Sequence, residues 1–240
     1  MTTMAVPGAM PGSPLNASLS TALDWLKSGW RSRIDSRRPL ADPVTELRID
    51  VMQPLVDGEL EAIYDCIYQP GSKLHGLQRR PLHDPQFCLH WREADGEWYA
   101  YVEDLDRRRL AGYTVFNRLV EVDRRTDRHV RSPHSRFAPH YQRRGLASAV
   151  YRSVLDAGTC LLSGARQSPG AHGLWNHLAR GYESHYVGIA ETKRLQYLGR
   201  EAPPACVLDR LATRRLLLGR DRPLQDFASG VKMELAPGQA

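Results

Sequence analysis

The stretch that most constrains this chain is "APHYQRRGLASAVYRSVLDAG", residues 138–158. It follows "HVRSPHSRFA", which has the composition of a strand, and it ends in a run whose apolar residues recur at helical spacing. Those apolar residues share one helix face: Leu146, Ala149, Val150 and Val154. Arg143 and Arg144 stand directly before Gly145, between the two patterns, and Gly158 is a typical helix terminator. The chain must therefore pass from a strand through a tight turn into an amphipathic helix.

A turn of this kind has the chemistry of an anion site. The first N–H groups of a helix lack intrahelical partners and carry positive partial charge. Gly145 and the small Ala147 permit close approach of the backbone, and the two arginines add charge at the rim. The alternative is a solvated, charged helix start without a ligand. The chain has neither the GxxxxGK[ST] pattern nor a GxGxxG pattern, so this is not a nucleotide loop of those kinds.

The turn also resembles the cofactor motif of the GNAT superfamily of N-acetyltransferases. That motif is Gln or Arg, two residues, Gly, one residue, then Gly or Ala, and here it runs from Gln142 to Ala147. The preceding "RFAPHY" resembles the end of the family's motif strand, and the resemblance covers roughly residues 45–236. It implies acetyl-CoA as the cofactor. The binding residues that it implies are Phe137, Ala138, Gln142, Arg143, Arg144, Gly145, Leu146, Ala147 and Ser148.

Periodicity along the chain predicts a mixed order of helices and strands. "DGELEAIYDCIY" and "PGAHGLWNHLARGY" are helical in spacing. Strand candidates are "TELRIDVMQPL", "FCLHW", a hairpin near 97–104 and 109–119, "HVRSPHSRFA", "TCLLS", "HYVGIA" and "VKMEL". Pro133 cannot donate to a ladder, so its strand is expected at an edge or beside a bulge. The expected class is α+β (mixed α/β), with a GNAT-like, mostly antiparallel central sheet flanked by helices.

The N-terminal 44 residues lie outside the resemblance. Residues 1–18 are rich in Pro, Gly, Ser and Ala and are expected to lack fixed structure, and a helix is expected over 19–35. The acetyltransferase-like domain is expected over 45–240. No apolar run approaches the roughly 18 residues of a membrane span, and residues 1–15 lack the regions of a signal peptide. No membrane contact is therefore expected. Cys66 and Cys160 lie in apolar runs and are expected to be buried thiols, which favours a reducing cytoplasm.

The net charge of the chain indicates which classes of partner it favours. The net charge is +6, which favours nucleic acid, an acidic protein or a phosphorylated cofactor. No RNP-type aromatic motif supports RNA binding. The four cysteines form no CxxC pair, so no metal site is expected.

The resemblance implies that an acceptor amine attacks the thioester directly, without a covalent enzyme intermediate. A backbone N–H on the motif strand then polarises the carbonyl, and Phe137 and Ala138 are the candidates. A general base works best with a pKa near neutrality, which favours His134, three residues before Phe137. Glu103 and Glu121 are weaker choices, and an exposed histidine without a role is the alternative reading of His134.

Tyr182 is the candidate general acid, because the family often places a tyrosine near the end of this helix. Tyr186 and His177 are rivals, and core packing is the alternative role for a tyrosine at helical spacing. The resulting hypothesis is an acetyl-CoA-dependent N-acetyltransferase whose acceptor, a protein or small-molecule amine, is unknown. The second hypothesis is a basic nucleic-acid- or partner-binding module that keeps the fold without catalysis. The Gly145 turn discriminates between them, since only an enzyme needs it open to a pyrophosphate.

Overall fold

The computed structural model describes residues 58–204 and 213–234. The expected N-terminal extension over 1–44, its helix over 19–35 and the expected strand in "TELRIDVMQPL" lie outside these residues, as does the domain boundary. The described helices are α1 (Glu59–Tyr68), α2 (Arg124–Asp127), α3 (Leu146–Leu155), α4 (Pro169–Leu178) and α5 (Leu224–Val231), with a 3₁₀ turn at Pro139–Tyr141. The described strands are β1 (Gln78–Pro81), β2 (Phe87–Ala94), β3 (Glu97–Asp104), β4 (Arg109–Asn117), β5 (Val130–Phe137), β6 (Cys160–Leu162), β7 (Ser184–Ile189), β8 (Leu195–Gly199) and β9 (Arg214–Leu217).

These strands form one sheet in the order β1-β2-β3-β4-β5-β6-β9-β7-β8. All the described pairings are antiparallel except that between β5 and β6, which α3 connects as a crossover helix. This confirms the expected class, a mixed and mostly antiparallel sheet flanked by helices. The hairpin β3–β4 and the strand–turn–helix β5–α3 also lie where the sequence predicts them.

The core fills both faces of the sheet. Leu161 and Leu162 are neighbours on β6, and alternation places their side chains on opposite faces. Leu161 belongs to the cluster with Val150 of α3, whereas Leu162 belongs to the cluster with Phe227 of α5. Because α3 is anchored along its whole buried stripe, its N-terminal end is held at a fixed place beside the end of β5.

The strand expected in "VKMEL", at residues 231–235, is wrong for the residues that the structure describes there. "VKMEL" is not a strand: Val231 is the last residue of α5, and Glu234 makes only an isolated bridge to Gln196. The apolar residues of this segment recur at helical spacing and pack into the core: Phe227, Ala228 and Val231. The helical spacing therefore prevails over the strand-like composition of the last residues.

Candidate active site

A gap opens between β5 and β6 because these two strands pair only at their first residues. The parallel ladder joins Val130 to Cys160 and Arg131 to Leu161. On its other side, β5 pairs with β4 from Ser132 to Phe137. In the described structure the parallel ladder goes no further, so one edge of β5 faces a V-shaped gap.

Pro133 gives the physical reason for this gap. The Ala138 N–H donates to the carbonyl of Ala111 in β4, at 3.0 Å. Since the N–H groups of successive strand residues point in alternate directions, those of Ser135 and Phe137 point away from β4. Pro133 lies on that same side and has no N–H, so it cannot continue the ladder with β6.

The bulge expected at Pro133 is absent from the β4–β5 ladder. The register there runs regularly through Pro133 opposite Phe116, and a register shift occurs instead between Val102 and Glu103 in the β3–β4 ladder. Of the two expected oxyanion donors, Ala138 is engaged with β4, and only Phe137 has its N–H on the gap side. The N–H of Ser135, two residues before Phe137, also points to the gap side and lies deeper in the gap. The sequence analysis did not include Ser135 among the donors, although the alternation of a strand would have indicated it.

The turn after β5 has two residues in the left-handed region, Arg143 at φ 61° and Gly145 at φ 79°. Gln142 stabilises the turn from within, because its Nε2 donates to the Phe137 carbonyl at 3.0 Å. A Cβ built on Gly145 would meet no atom within 4 Å, so the space in front of α3 is open. The glycine is therefore required by its backbone angle rather than by crowding.

The N-terminus of α3 differs from those of the other described α-helices. It has neither a side-chain cap nor an acidic residue in its first turn. By contrast, Asp123 caps α2 and Ser168 caps α4, while α1 and α5 carry acidic residues in their first turns. The first N–H groups of α3 thus retain an uncompensated positive end, which suits an anionic ligand.

The two motif arginines have different surroundings. The guanidinium of Arg144 lies 5.0 Å from the centroid of the Phe87 ring and 5.6 Å from that of Tyr141. It also donates to Gln86 Oε1 at 3.2 Å. Arg143 is exposed, and no hydrogen bond or ion pair joins its side chain to another described residue. Both arginines are exposed, but Arg143 lacks the side-chain contacts that Arg144 makes.

A buried carboxylate, Asp104 at the end of β3, lies behind the turn. Tyr141 Oη donates to its Oδ2 at 2.5 Å, and Gln86 Nε2 donates to its Oδ1 at 3.2 Å. Arg107 donates from its backbone N–H at 3.1 Å and from Nη1 at 3.0 Å. Burial alone would raise the pKa of Asp104, but these hydrogen bonds together hold it well below its usual range. Asp104 is close to the turn in space but far from it in the sequence, so no local sequence pattern indicates that the two are linked.

His134 lies on β5, on the sheet face opposite to Ser135. It is exposed to solvent, although neighbouring atoms surround the ring closely enough to desolvate it in part. Burial, followed by the charge of Arg136, lowers its pKa below the ordinary histidine value. Arg136 Nη1 lies 3.6 Å from Glu59 Oε2, and Tyr113 Oη donates to Glu59 Oε1 at 2.7 Å. The lowered pKa favours the neutral form of His134, which can accept a proton.

The two alternative carboxylates have strong partners. Glu103 is buried, accepts from Tyr68 Oη at 2.7 Å and lies 2.6 Å from His90 Nε2. Glu121 forms an ion pair with Arg214. Neither contact involves the gap beside β5.

The structure places Tyr182 near the C-terminal end of α3, whereas the turn lies at its N-terminal end. Its hydroxyl donates to Asp156 Oδ1 at 2.8 Å, and burial followed by Asp156 raises its pKa. Tyr182 borders a cavity of about 550 Å³ formed with residues 181–183 and 218–223, which includes no residue of the turn. The Tyr182 hydroxyl is thus hydrogen-bonded to the carboxylate of Asp156, away from the open end of the gap between β5 and β6.

The rivals of Tyr182 also lie away from the turn. His177 Nε2 is 2.8 Å from Arg152 Nη2 in the C-terminal half of α3. Tyr186 lies on β7, under the guanidinium of Arg215 at 5.5 Å.

No helix in the described part of the chain is long and apolar enough to cross a membrane.

No protein-family model matches the sequence, and no curated protein is significantly similar to it. Among solved structures, three acetyltransferases show similarity, each with a TM-score of 0.32. One is the GNAT superfamily phosphinothricin acetyltransferase Pat of Sinorhizobium meliloti in complex with AcCoA, 14% identical over 51% of this chain and 60% of that chain. This chain thus spans less than two thirds of Pat.

The other two are forms of the spermidine N-acetyltransferase SpeG of Vibrio cholerae. A point mutant is 18% identical over 53% of this chain and 67% of its own. A chimera with hSSAT is 14% identical over 69% of this chain and 92% of its own. At this level of similarity, any functional assignment has to come from the geometry of this chain itself.

Proposed function

We propose that this protein is an acetyl-CoA-dependent N-acetyltransferase in which an acceptor amine attacks the thioester directly. The observation that carries the proposal is the N-terminus of α3. It has no side-chain cap and no acidic residue, and it opens through Gly145 onto free space beside Arg143. An anionic group fits such a place better than water, because both the helix end and the guanidinium favour negative charge.

The cofactor site that we propose extends from the turn into the V-shaped gap. The pyrophosphate would be held by the N–H groups of residues 143–148 and by Arg143. The N–H groups of Ser135 and Phe137 point into the gap, where they would hold the acyl-bearing arm. Acetyl-CoA, when bound, supplies an activated acetyl group as a thioester. A carbonyl oxygen placed at Ser135 would be polarised by a backbone donor that is fixed before the reaction starts.

His134 is the general base in this proposal. Burial, followed by the neighbouring charge of Arg136, lowers its pKa, which favours the neutral ring that can accept the proton of the attacking amine. Because Tyr182, His177 and Tyr186 all have partners away from the turn, we propose that the leaving thiolate takes its proton from water. Tyr182 then has a structural role through Asp156.

The acceptor is an amine, and the net charge of +6 suits an acidic protein or an anionic small molecule. A binding module without catalysis would use the arginines alone, but Arg144 is committed to Phe87 and Tyr141. We also propose a cytoplasmic location, since the described cysteines Cys66, Cys88 and Cys160 are free thiols, which suits a reducing compartment.

Two measurements on the full chain test this function. Thermal unfolding with acetyl-CoA at a hundredfold excess over its Kd should show about 2.7 kcal/mol of stabilisation. Release of free CoA thiol should then be followed against a panel of amines: free amino acids, polyamines, and peptides with acidic or basic N-termini. Stabilisation with amine-dependent thiol release supports the proposal. A protein that acetyl-CoA at millimolar concentration fails to stabilise is not an acetyltransferase of this kind.

A further inference from the structure

We infer that Asp104 is a positioning residue that sets the conformation of the anion-binding turn. The inference rests on the proposed function for the identity of the ligand, but not for the conformation of the turn. Asp104 lies at the end of β3 and is fully buried. It is separated from the turn by about forty residues of sequence, yet it is linked to both sides of that turn.

The link is a chain of four side chains. Tyr141, the last residue of the 3₁₀ turn, donates to Asp104 Oδ2 at 2.5 Å. Gln86 donates through Nε2 to Asp104 Oδ1 at 3.2 Å and accepts through Oε1 from Arg144 Nη2, also at 3.2 Å. The guanidinium of Arg144 in turn lies over the Tyr141 ring, which closes the chain into a loop.

This loop encloses the strained part of the backbone. Arg143 has a φ of 61°, a left-handed conformation that is unfavourable for a residue with a Cβ. Such a conformation persists only where the surroundings determine it. Tyr141 precedes Arg143 by two residues and Arg144 follows it directly, and both are tied to Asp104. The carboxylate therefore fixes the turn on either side of its strained residue.

The fixed conformation determines where the site's charge points. Arg144 is held against Phe87 and Gln86, whereas the exposed side chain of Arg143 has no such contact among the described residues. Without Asp104, both Tyr141 and Gln86 lose their shared acceptor, and the turn can relax from the left-handed region. The N–H groups at the start of α3 would then be ordered only when the anion binds, which weakens binding.

The test compares Asp104→Asn, Tyr141→Phe and Gln86→Ala with Asp106→Asn. Asp106 is an exposed aspartate in the same β3–β4 turn, without a hydrogen bond or ion pair to another described residue. Hydrogen exchange of the amides of residues 142–148 is measured without ligand, so this readout does not depend on the proposed function. The three network variants should exchange faster in this segment only, and Asp106→Asn should match the wild type. Tyr141→Phe and Gln86→Ala keep the buried carboxylate, so they remain informative if Asp104→Asn does not fold.

The second readout is kinetic. The KM for acetyl-CoA should rise roughly tenfold in the network variants, as expected when a hydrogen bond to a charged group is lost, while kcat stays within about twofold. Unchanged exchange over residues 142–148 in all the folded network variants would overturn the inference, even if the wild type binds acetyl-CoA. If the wild type does not bind acetyl-CoA but exchange rises as expected, the positioning role stands and the proposed function fails.

Discussion

The guanidinium of Arg144 lies 5.0 Å from the centroid of the Phe87 ring, so this arginine belongs to the scaffold of the turn. Its neighbour Arg143 has no such partner among the described residues. Two adjacent arginines that look equivalent in the sequence thus have different surroundings: Arg144 contacts Phe87, Tyr141 and Gln86, and Arg143 contacts none of them.

This difference is measurable by alanine substitution. Arg143→Ala should weaken acetyl-CoA binding roughly tenfold or more, since a charge-assisted contact is lost, and should leave the melting temperature unchanged. Arg144→Ala should lower the melting temperature as well, because it removes contacts to Phe87, Tyr141 and Gln86. Calorimetric titration and thermal unfolding of both variants check this. Equal loss of affinity with equal stability in the two variants would contradict the assignment.

The role of His134 predicts a specific pH dependence. His134→Asn should reduce kcat by about a hundredfold or more, as is typical for loss of a general base. In the wild type, activity should persist below the ordinary histidine pKa, since burial and the Arg136 charge lower the pKa of His134. Arg136→Gln removes a positive charge, so the pKa of His134 should rise and the acid limb of the rate profile should move to higher pH.

The measurement for His134 is kcat/KM for the acceptor amine between pH 5 and 9, with saturating acetyl-CoA. A limb that stays in place in Arg136→Gln would show that another group titrates. Activity in His134→Asn equal to that of the wild type would remove His134 from catalysis.

Tyr182→Phe tests whether this tyrosine has a catalytic role. In the structure its hydroxyl donates to Asp156, so its removal should cost at most about 1 kcal/mol of unfolding free energy. Turnover on a true acceptor should stay within about twofold of the wild type. Tyr186→Phe is the matched control. A tenfold loss of kcat confined to Tyr182→Phe would instead make Tyr182 the general acid.

Asp104 also predicts how stability depends on pH. Its folded-state pKa lies below its ordinary value, so it contributes stability that is present above about pH 4 and is lost as the pH falls further. Asp104→Asn should therefore be less stable than the wild type at neutral pH, and the difference should narrow under acid conditions. Urea unfolding at pH 7 and pH 3 measures this, with Asp106→Asn as the control. A difference that is the same at both pH values would show that the charge of Asp104 does not matter.

The sequence predicted those parts of the molecule whose signals are local. The helix α3 was predictable from Leu146, Val150 and Val154, and the β3–β4 hairpin from two runs rich in aromatic and aliphatic residues joined by a polar turn. The strand β1 was missed because its four exposed residues carry no alternation, and only pairing with β2 makes it a strand.

The candidate site shows the same limit more clearly. The motif from Gln142 to Ala147 is contiguous, so a local pattern indicates it. The partner that commits Arg144 is Gln86, far away in the sequence, and no local spacing reveals that contact. Only part of the effect of Pro133 was predictable. The sequence shows that Pro133 has no N–H, but not whether this N–H would be missing from the pairing with β4 or from the pairing with β6.

The proposed cofactor site depends most directly on the open, uncapped start of α3, and calorimetric titration of acetyl-CoA into Gly145→Glu tests it. A carboxylate at this position would fill the space in front of the helix and would repel a pyrophosphate. Gly76→Glu is the matched control, because Gly76 also has a positive φ, at 72°, and open space around its Cβ position. If the cofactor binds there, the wild type and Gly76→Glu bind acetyl-CoA with similar Kd, while Gly145→Glu, still folded, shows no detectable binding. Normal binding by Gly145→Glu would contradict it.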